Sequence, residues 1–261
     1  MEKLVHVEIE RGIATVTIDN PPMNVLSVQV TKELGEAFTG IAEDPNVIAV
    51  ILTGAGNRAF MAGADIKEFP QWVDMSDDEF KTLNMESHRV LNLIDEIPKP
   101  TIAMLNGMAL GGGCELALTC DIRIAEEHVQ IGLPEVKLGL FPGGGGTQRL
   151  PRLIGEAKAK ELMFSGDPIS AEEARQIGLV NQVAPTGEGM GAARSLAEKM
   201  AGYSLQALSR IKQAVNEGME KSFEQAIDHE SDLFVDVFNT EDVREGVSAF
   251  IEKRTPNFKH Q

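Results

Sequence analysis

Residues 101–125 read TIAMLNGMALGGGCELALTCDIRIA. Two strand-like runs, Thr101 to Leu105 and Asp121 to Ala125, flank a segment that opens on Gly111-Gly112-Gly113 and continues through Cys114, Glu115 and Leu116. A helix beginning in the glycines and set between two strands predicts α/β layering. Val129 to Ile131 is a short third strand candidate.

The same alternation extends outward on the N-terminal side. Val5, Val7 and Ile9 alternate with polar residues, Arg11-Gly12 reads as a turn, and Ala14, Val16 and Ile18 alternate again, the pattern of a β-hairpin. Pro21-Pro22 breaks the strand, and Ser27 can cap a helix running through Leu34 and Phe38. The run Val47 to Leu52 reads as a strand buried on both faces. Ser76-Asp77-Asp78-Glu79 has the form of a capping box ahead of a helix from Phe80 to Ile94, which Pro98 and Pro100 end.

On the C-terminal side strand signals thin out after a second capping-box pattern, Ser170 to Glu173, with Val180 to Val183 the last candidate. Ser204 to Met219, Ser222 to Val237 and Thr240 to Lys253 carry apolar residues at helical spacing. The chain is therefore divided into a core of residues 1–190 and a helical region of residues 191–261.

Composition narrows the possible functions. A chain of 261 residues with 43% hydrophobic and 25% charged residues can bury a sizeable core and is not a disordered protein. Its 40 acidic and 24 basic residues give a net charge of -16, which repels nucleic acid and anionic lipid at long range. Cys114 and Cys120 have no partner Cys pair or nearby His at metal-ligand spacing and read as buried, reduced thiols, so no metal is expected. The five histidines fall in no nucleophile or zinc motif, and Trp72 and Met85 read as packing residues. The N-terminus lacks a secretory pattern and no apolar run is long enough to span a bilayer, so a cytoplasmic protein is expected; a processed organellar form has the same appearance.

Four segments carry chemical potential. Glycines at 111–113 let a backbone approach a ligand closely, and at a helix start their N–H groups point outward with the positive end of the dipole. Alone, such a triplet more often serves as a packing turn. Gly63-Ala64-Asp65 poses the same choice, and an isolated Glu115 in a first helical turn has a structural reason in the dipole. The Gly143-Gly144-Gly145-Gly146 run lacks the Lys-Ser or Lys-Thr of a P-loop, and no dinucleotide fingerprint occurs elsewhere, so NAD, FAD and ATP are not implied.

Taken together, Phe60 to Glu68, Asn106 to Asp121, Ile131 to Glu135 and Gly139 to Leu150 closely resemble, in order and spacing, the enoyl-CoA hydratase group of the crotonase superfamily. The resemblance runs from the first hairpin to Phe258-Lys259 and is weakest around Trp72 to His88, the stretch that shapes the acyl pocket by family analogy. It implies a crotonase-type α/β fold, a spiral of ββα units, with the C-terminal helices mediating trimers and a dimer of trimers as the assembly. It also implies reversible hydration of a trans-2-enoyl-CoA to a 3-hydroxyacyl-CoA, in fatty-acid β-oxidation or branched acyl-CoA degradation. No separate cofactor is implied, since coenzyme A enters as part of the substrate.

By the same resemblance, the Ala64 and Gly112 N–H groups form an oxyanion hole, Glu115 is the base on the catalytic water, and Glu135 the acid toward C2. The two carboxylates are expected to titrate as a coupled unit. Substrate contacts fall to Met23, in the loop Asn20 to Leu26, to Ala62, Asp65, Ile66 and Lys67, to Gly143 near the acyl end, and to Phe250 and Lys253. The last two reach CoA in some members from a neighbouring subunit; Lys253 alone reads equally as the solvated cationic end of a helix. Two departures from the family pattern stand out: Asn20 where many members carry Arg, which weakens the case for a phosphate contact, and Gly144 in place of the usual small residue. Rival readings are an enoyl-CoA isomerase, which needs one carboxylate and no water, and a CoA-thioester hydrolase. A non-enzymatic RNA-binding role conflicts with the acidity and the intact pair.

Overall fold

The computed structural model describes residues 2–260. The chain opens with the hairpin β1 (Val5–Glu10) and β2 (Ile13–Ile18), turned at Arg11 and Gly12 with φ of 51° and 80°. Helix α1 (Val28–Glu43) follows, its N-terminus closed by Ser27 Oγ accepting from the Val30 N–H, and it buries Val30, Leu34, Phe38 and Ile41 on one stripe. Next come β3 (Ala49–Gly54), β4 (Ala59–Ala62), the short α2 (Phe69–Val73) and α3 (Asp77–Glu96). The box at Ser76 and Glu79 is formed in both directions.

The pattern then repeats: β5 (Thr101–Leu105), β6 (Met108–Leu110) and α4 (Gly112–Leu118); β7 (Ile122–Glu126), β8 (Gln130–Gly132), a 3-10 turn (Pro134–Leu138) and α5 (Gly146–Ile154). Helix α6 (Glu156–Ser165), β9 (Ile169–Ser170), α7 (Ala171–Gln176) and β10 (Gln182–Ala184) lead to four terminal helices, α8 (Gly189–Ala201), α9 (Leu205–Gly218), α10 (Phe223–Phe238) and α11 (Glu241–Glu252).

From β3 onward, each strand–strand–helix unit sends its two strands to different sheets. The β1–β2 hairpin with β3, β5, β7 and β10 builds a six-stranded sheet of order β1-β2-β3-β5-β7-β10, and β4, β6, β8 and β9 build a four-stranded sheet of order β4-β6-β8-β9. Pairing is parallel except for β1 with β2 and β8 with β9. The chain therefore advances as a spiral of ββα turns, stepping one strand along both sheets each time. That repeat stacks the residues after β4, β6 and β8 side by side, and the site lies there.

All six residues of β3 are buried. One face joins the main core with Phe38, Phe60 and Leu105, while Ala49 and Ile51 on the other meet Ala193 and Ala197 of α8. Removing a fully buried aromatic such as Phe38 costs about 3–5 kcal/mol, transfer and cavity combined.

Two strand boundaries differ from the sequence expectation for a local reason. Val47 and Ile48 are buried but turn the chain, their N–H groups going to Asp44 and Gly12 carbonyls, so β3 begins at Ala49. Leu179 and Val180 both donate to the Ala174 carbonyl, so β10 starts only at Gln182. Strands β4 and β6, three or four residues long, have no periodicity that a sequence could display.

Helices α9 to α11 are amphipathic as expected, but much of the apolar face is uncovered within one chain: Ile211, Met219, Phe223, Phe234 and Phe250 are 62%, 75%, 83%, 66% and 85% exposed. No helix among the described residues is long and apolar enough to cross a membrane. Cys114 and Cys120 are free and buried, and burial pushes both thiols up, Cys120 to about 12.

Candidate active site

Gly111 is the joint on which the site is built. It stands between β6 and α4 with φ of 53° and ψ of -126°, a conformation that glycine adopts freely. Its N–H goes to the Gly132 carbonyl at 2.9 Å, tying α4 to the end of β8. Gly113 lets α4 lie directly against β4, since a β-carbon there would collide with the Met61 carbonyl.

Glu115, in the first turn of α4, is 4% exposed. Its Oε1 accepts the Gly144 N–H at 2.7 Å and the Gly146 N–H at 2.8 Å. Burial raises its pKa, opposed by those two donors and by the Arg149 charge. Gly144 also makes room for the carboxylate, because a β-carbon at that position would lie 2.6 Å from Glu115 Oε2.

Glu135 lies in the 3-10 turn after β8, half-buried. Its Oε1 is 3.1 Å from where a β-carbon of Gly111 would stand, so the glycine seats this carboxyl as well. Its Oε2 is buried with no partner among the described residues. Burial, with the Glu115 charge adding to it, raises the pKa of Glu135 to about 7.

Ala64 enters from the other side. It forms a parallel bridge with Leu26, which donates to the Gly63 carbonyl and accepts from the Asp65 N–H. The Ala64 nitrogen is 3.6 Å from the β-carbon position of Gly112, so these two residues meet. Neither the Ala64 nor the Gly112 N–H donates to any backbone acceptor among the described residues.

The remaining expected contacts divide into three sets. Met23 accepts the Ala62 N–H at 3.1 Å, which holds the loop after β2 against β4, and Asp65 caps its own turn by accepting from the Lys67 N–H. Ile66 is 61% exposed, and Lys67 and Gly143 are also exposed, at the rim. Phe250 and Lys253 stand apart on α11; Lys253 closes that helix with φ of 56°, and no hydrogen bond among the described residues joins α11 to the carboxylate site. Asn20 spends its side-chain amide on the Val25 carbonyl at 2.8 Å. Trp72 is half-buried between Phe69 and Phe80, with ring centroids 4.8 and 6.3 Å away, whereas Met85 is 45% exposed rather than packed.

Sequence reading missed how Glu115 is held. The donors come from Gly144 and Gly146, and Arg149 bonds Asp95 at 2.9 Å and Asn92 at 2.7 Å across more than fifty residues of chain. No local pattern links those positions.

The enoyl-CoA hydratase/isomerase family matches residues 8–261. A short-chain-enoyl-CoA hydratase of Clostridium acetobutylicum is 45% identical over 249 residues, covering 95% of this chain and 94% of its own. A crotonyl-CoA hydratase of Syntrophomonas wolfei is 43% identical, covering 97% and 96%. The crystal structure of an enoyl-CoA hydratase from Bacillus anthracis superposes with a TM-score of 0.93 at 39% identity, over 99% of this chain and all of that one. With a family match over nearly the whole chain, relatives more than 40% identical over almost their full length and a shared fold, the chain belongs to the enoyl-CoA hydratase/isomerase family.

Proposed function

We propose that this enzyme reversibly adds water to a trans-2-enoyl-CoA, giving the 3-hydroxyacyl-CoA. The observation that carries the reading is a pair of unlike carboxyl groups that feel one another, Glu115 seated on Gly144 and Gly146 and Glu135 on Gly111, together with two backbone N–H groups left without backbone acceptors.

Conjugation to the thioester makes C3 electrophilic, and attack there drives charge onto the carbonyl oxygen. The Ala64 and Gly112 N–H groups receive that charge; a single such donor contributes about 2.7–4 kcal/mol to the transition state. Glu115, whose anion is supported by two N–H donors and Arg149, takes a proton from water. Glu135, with a pKa of about 7 and no donor on Oε2, is poised to deliver a proton to C2. In the dehydration direction the roles reverse.

Met23, Ala62, Asp65, Ile66, Lys67 and Gly143 line the approach for the thioester. Phe250 and Lys253 contact CoA from a neighbouring subunit, a reading supported by their separation from the site within one chain and by the 85% exposure of Phe250. The uncovered apolar face of α9 to α11 supports a homotrimer or dimer of trimers. Residues 191–261 then act as the oligomerisation region of a core spanning 1–190, while α8 also covers the large sheet. The enzyme works in the cytoplasm without a cofactor beyond the CoA of its substrate.

Hydration of crotonyl-CoA, followed by loss of the conjugated thioester absorbance, tests the reading. Turnover that requires both Glu115 and Glu135 supports it. Release of free thiol points instead to hydrolysis, and migration of a 3-enoyl double bond without hydration to isomerisation.

A further inference from the structure

Glu115 is gripped by a loop, and the loop is gripped by Arg149. The Arg149 side chain is only 18% exposed. Its Nε lies 2.9 Å from Asp95 Oδ2, its Nη2 donates to Asn92 Oδ1 at 2.7 Å, and its Nη1 reaches the Gly144 carbonyl at 3.5 Å. Asn92 and Asp95 are three residues apart on α3 and present one face to the guanidinium. Gly144 is thus held at both polar groups, its carbonyl by Arg149 and its N–H by Glu115 Oε1. The guanidinium also packs across Gly145, where a β-carbon would collide with Nη1.

We propose that Arg149, anchored on Asp95 and Asn92, is a positioning residue for hydration: it fixes the Gly143–Gly146 loop so that both N–H groups stay on Glu115 Oε1 and Oε2 is left to receive the proton of water. This rests on the reading of the enzyme as a hydratase with Glu115 as its base. The task suits arginine because three acceptors on two elements must be met by one rigid planar fork; a lysine supplies the charge without the fork.

The groups facing Glu115 are Arg149 from α5, Glu135 from the 3-10 turn and Cys114 from its own helix; Arg149 in turn faces Asp95 from α3. Without the arginine, burial acts on Glu115 unopposed by a cation. Glu115 then holds its proton to higher pH.

The experiment uses the full-length enzyme with crotonyl-CoA and the variants Arg149→Gln, Arg149→Lys, Asp95→Asn and Arg152→Gln. Arg152 is exposed beside Glu220, away from the site, and its replacement is expected to change nothing. In Arg149→Gln, kcat falls by up to about 10²-fold, the cost of a misplaced reacting group, while KM changes little and the acid limb of the pH–rate profile moves to higher pH. Arg149→Lys restores the limb but not the rate, and Asp95→Asn shifts both in the direction of Arg149→Gln. A ¹³C titration of the Glu115 carboxyl, identified by its loss in Glu115→Gln, reads the same displacement without turnover.

An unmoved Glu115 titration in Arg149→Gln, or a loss confined to KM, overturns the proposal. Should Arg149→Gln fail to fold, Asp95→Asn decides, because it keeps the arginine and removes its anchor. A wild-type enzyme that does not hydrate crotonyl-CoA defeats the hydratase reading instead; the ¹³C titration then still decides whether Arg149 governs Glu115.

Discussion

Glu115 and Glu135 are both seated against glycine backbone, Glu115 on Gly144 and Gly146 and Glu135 on Gly111, yet their surroundings differ in kind. Glu115 is the more deeply buried, but its Oε1 takes two backbone N–H bonds and Arg149 lies near. Glu135 is less buried and more poorly served, with an Oε2 that no described donor meets. Burial alone does not rank them as acid and base; the supply of donors does. A donor-supported carboxylate suits taking a proton, and an unsupported carboxyl with a pKa of about 7 suits giving one.

Breaking the pair outright gives the largest effect. Glu115→Gln and Glu135→Gln are each expected to lower kcat for crotonyl-CoA hydration by roughly 10²–10⁴-fold while the far-UV spectrum and melting behaviour remain native-like. The double variant should lose little more than the worse single one, since groups that act as a unit are not additive. Near wild-type turnover in either folded single variant removes that residue from the mechanism.

The next largest effect separates the carboxylates from the proposed oxyanion donors. Replacing the Ala64 or Gly112 amide by an ester deletes one N–H without the distortion that proline brings, and is expected to cost about 10²–10³-fold in kcat. A change within about twofold excludes the position.

Chain-length preference is a smaller matter and lies outside the pair. Phe69 and Trp72 stack at the start of the segment leading to α3, and an apolar pocket discriminates by about 1–3 kcal/mol per methylene. Phe69→Ala should change the ratio of C4 to C10 kcat/KM with the pH profile unaltered. An equal loss at both lengths marks Phe69 as structural.

A further effect is on stability, and its sign follows from Glu135. The carboxyl titrates near 4.5 when unperturbed and near 7 in the fold. Between these values the folded state holds more protons, so its stability falls as pH rises through the window and levels off above it. Glu135→Gln removes this slope: relative to wild type it gains stability above pH 7 and nothing below about pH 4.5, measured by urea denaturation across that range. For the same reason wild-type kcat/KM is expected to decline above about pH 7 as the acid ionises.

Much of this was readable from residues alone where a signal is local. Ser27 and Ser76 cap the helices that their positions suggest, the hairpin turns at Arg11-Gly12, and the alternating pattern gives layered α/β structure. The short strands β4 and β6 were not readable, because three or four residues beside Asn106-Gly107 carry no period. The glycine runs announced a close approach without saying to what: at Gly144 the answer is Glu115, and at Gly111 it is Glu135.

By itself the sequence determined the caps, the periodicities and the short motifs on which the family resemblance rests, since these are local properties of the chain; the spiral of ββα units and the two candidate carboxylates were expected from that resemblance. Only the tertiary structure decided how those carboxylates differ. Desolvation and hydrogen-bond supply depend on which backbone and which charges are folded against a side chain, and the groups that hold Glu115 come from residues 144, 146 and 149, the last anchored in turn by residues 92 and 95. It likewise decided that the apolar stripes of α9 to α11, indistinguishable in sequence from core-facing stripes, are left largely uncovered by the chain that carries them.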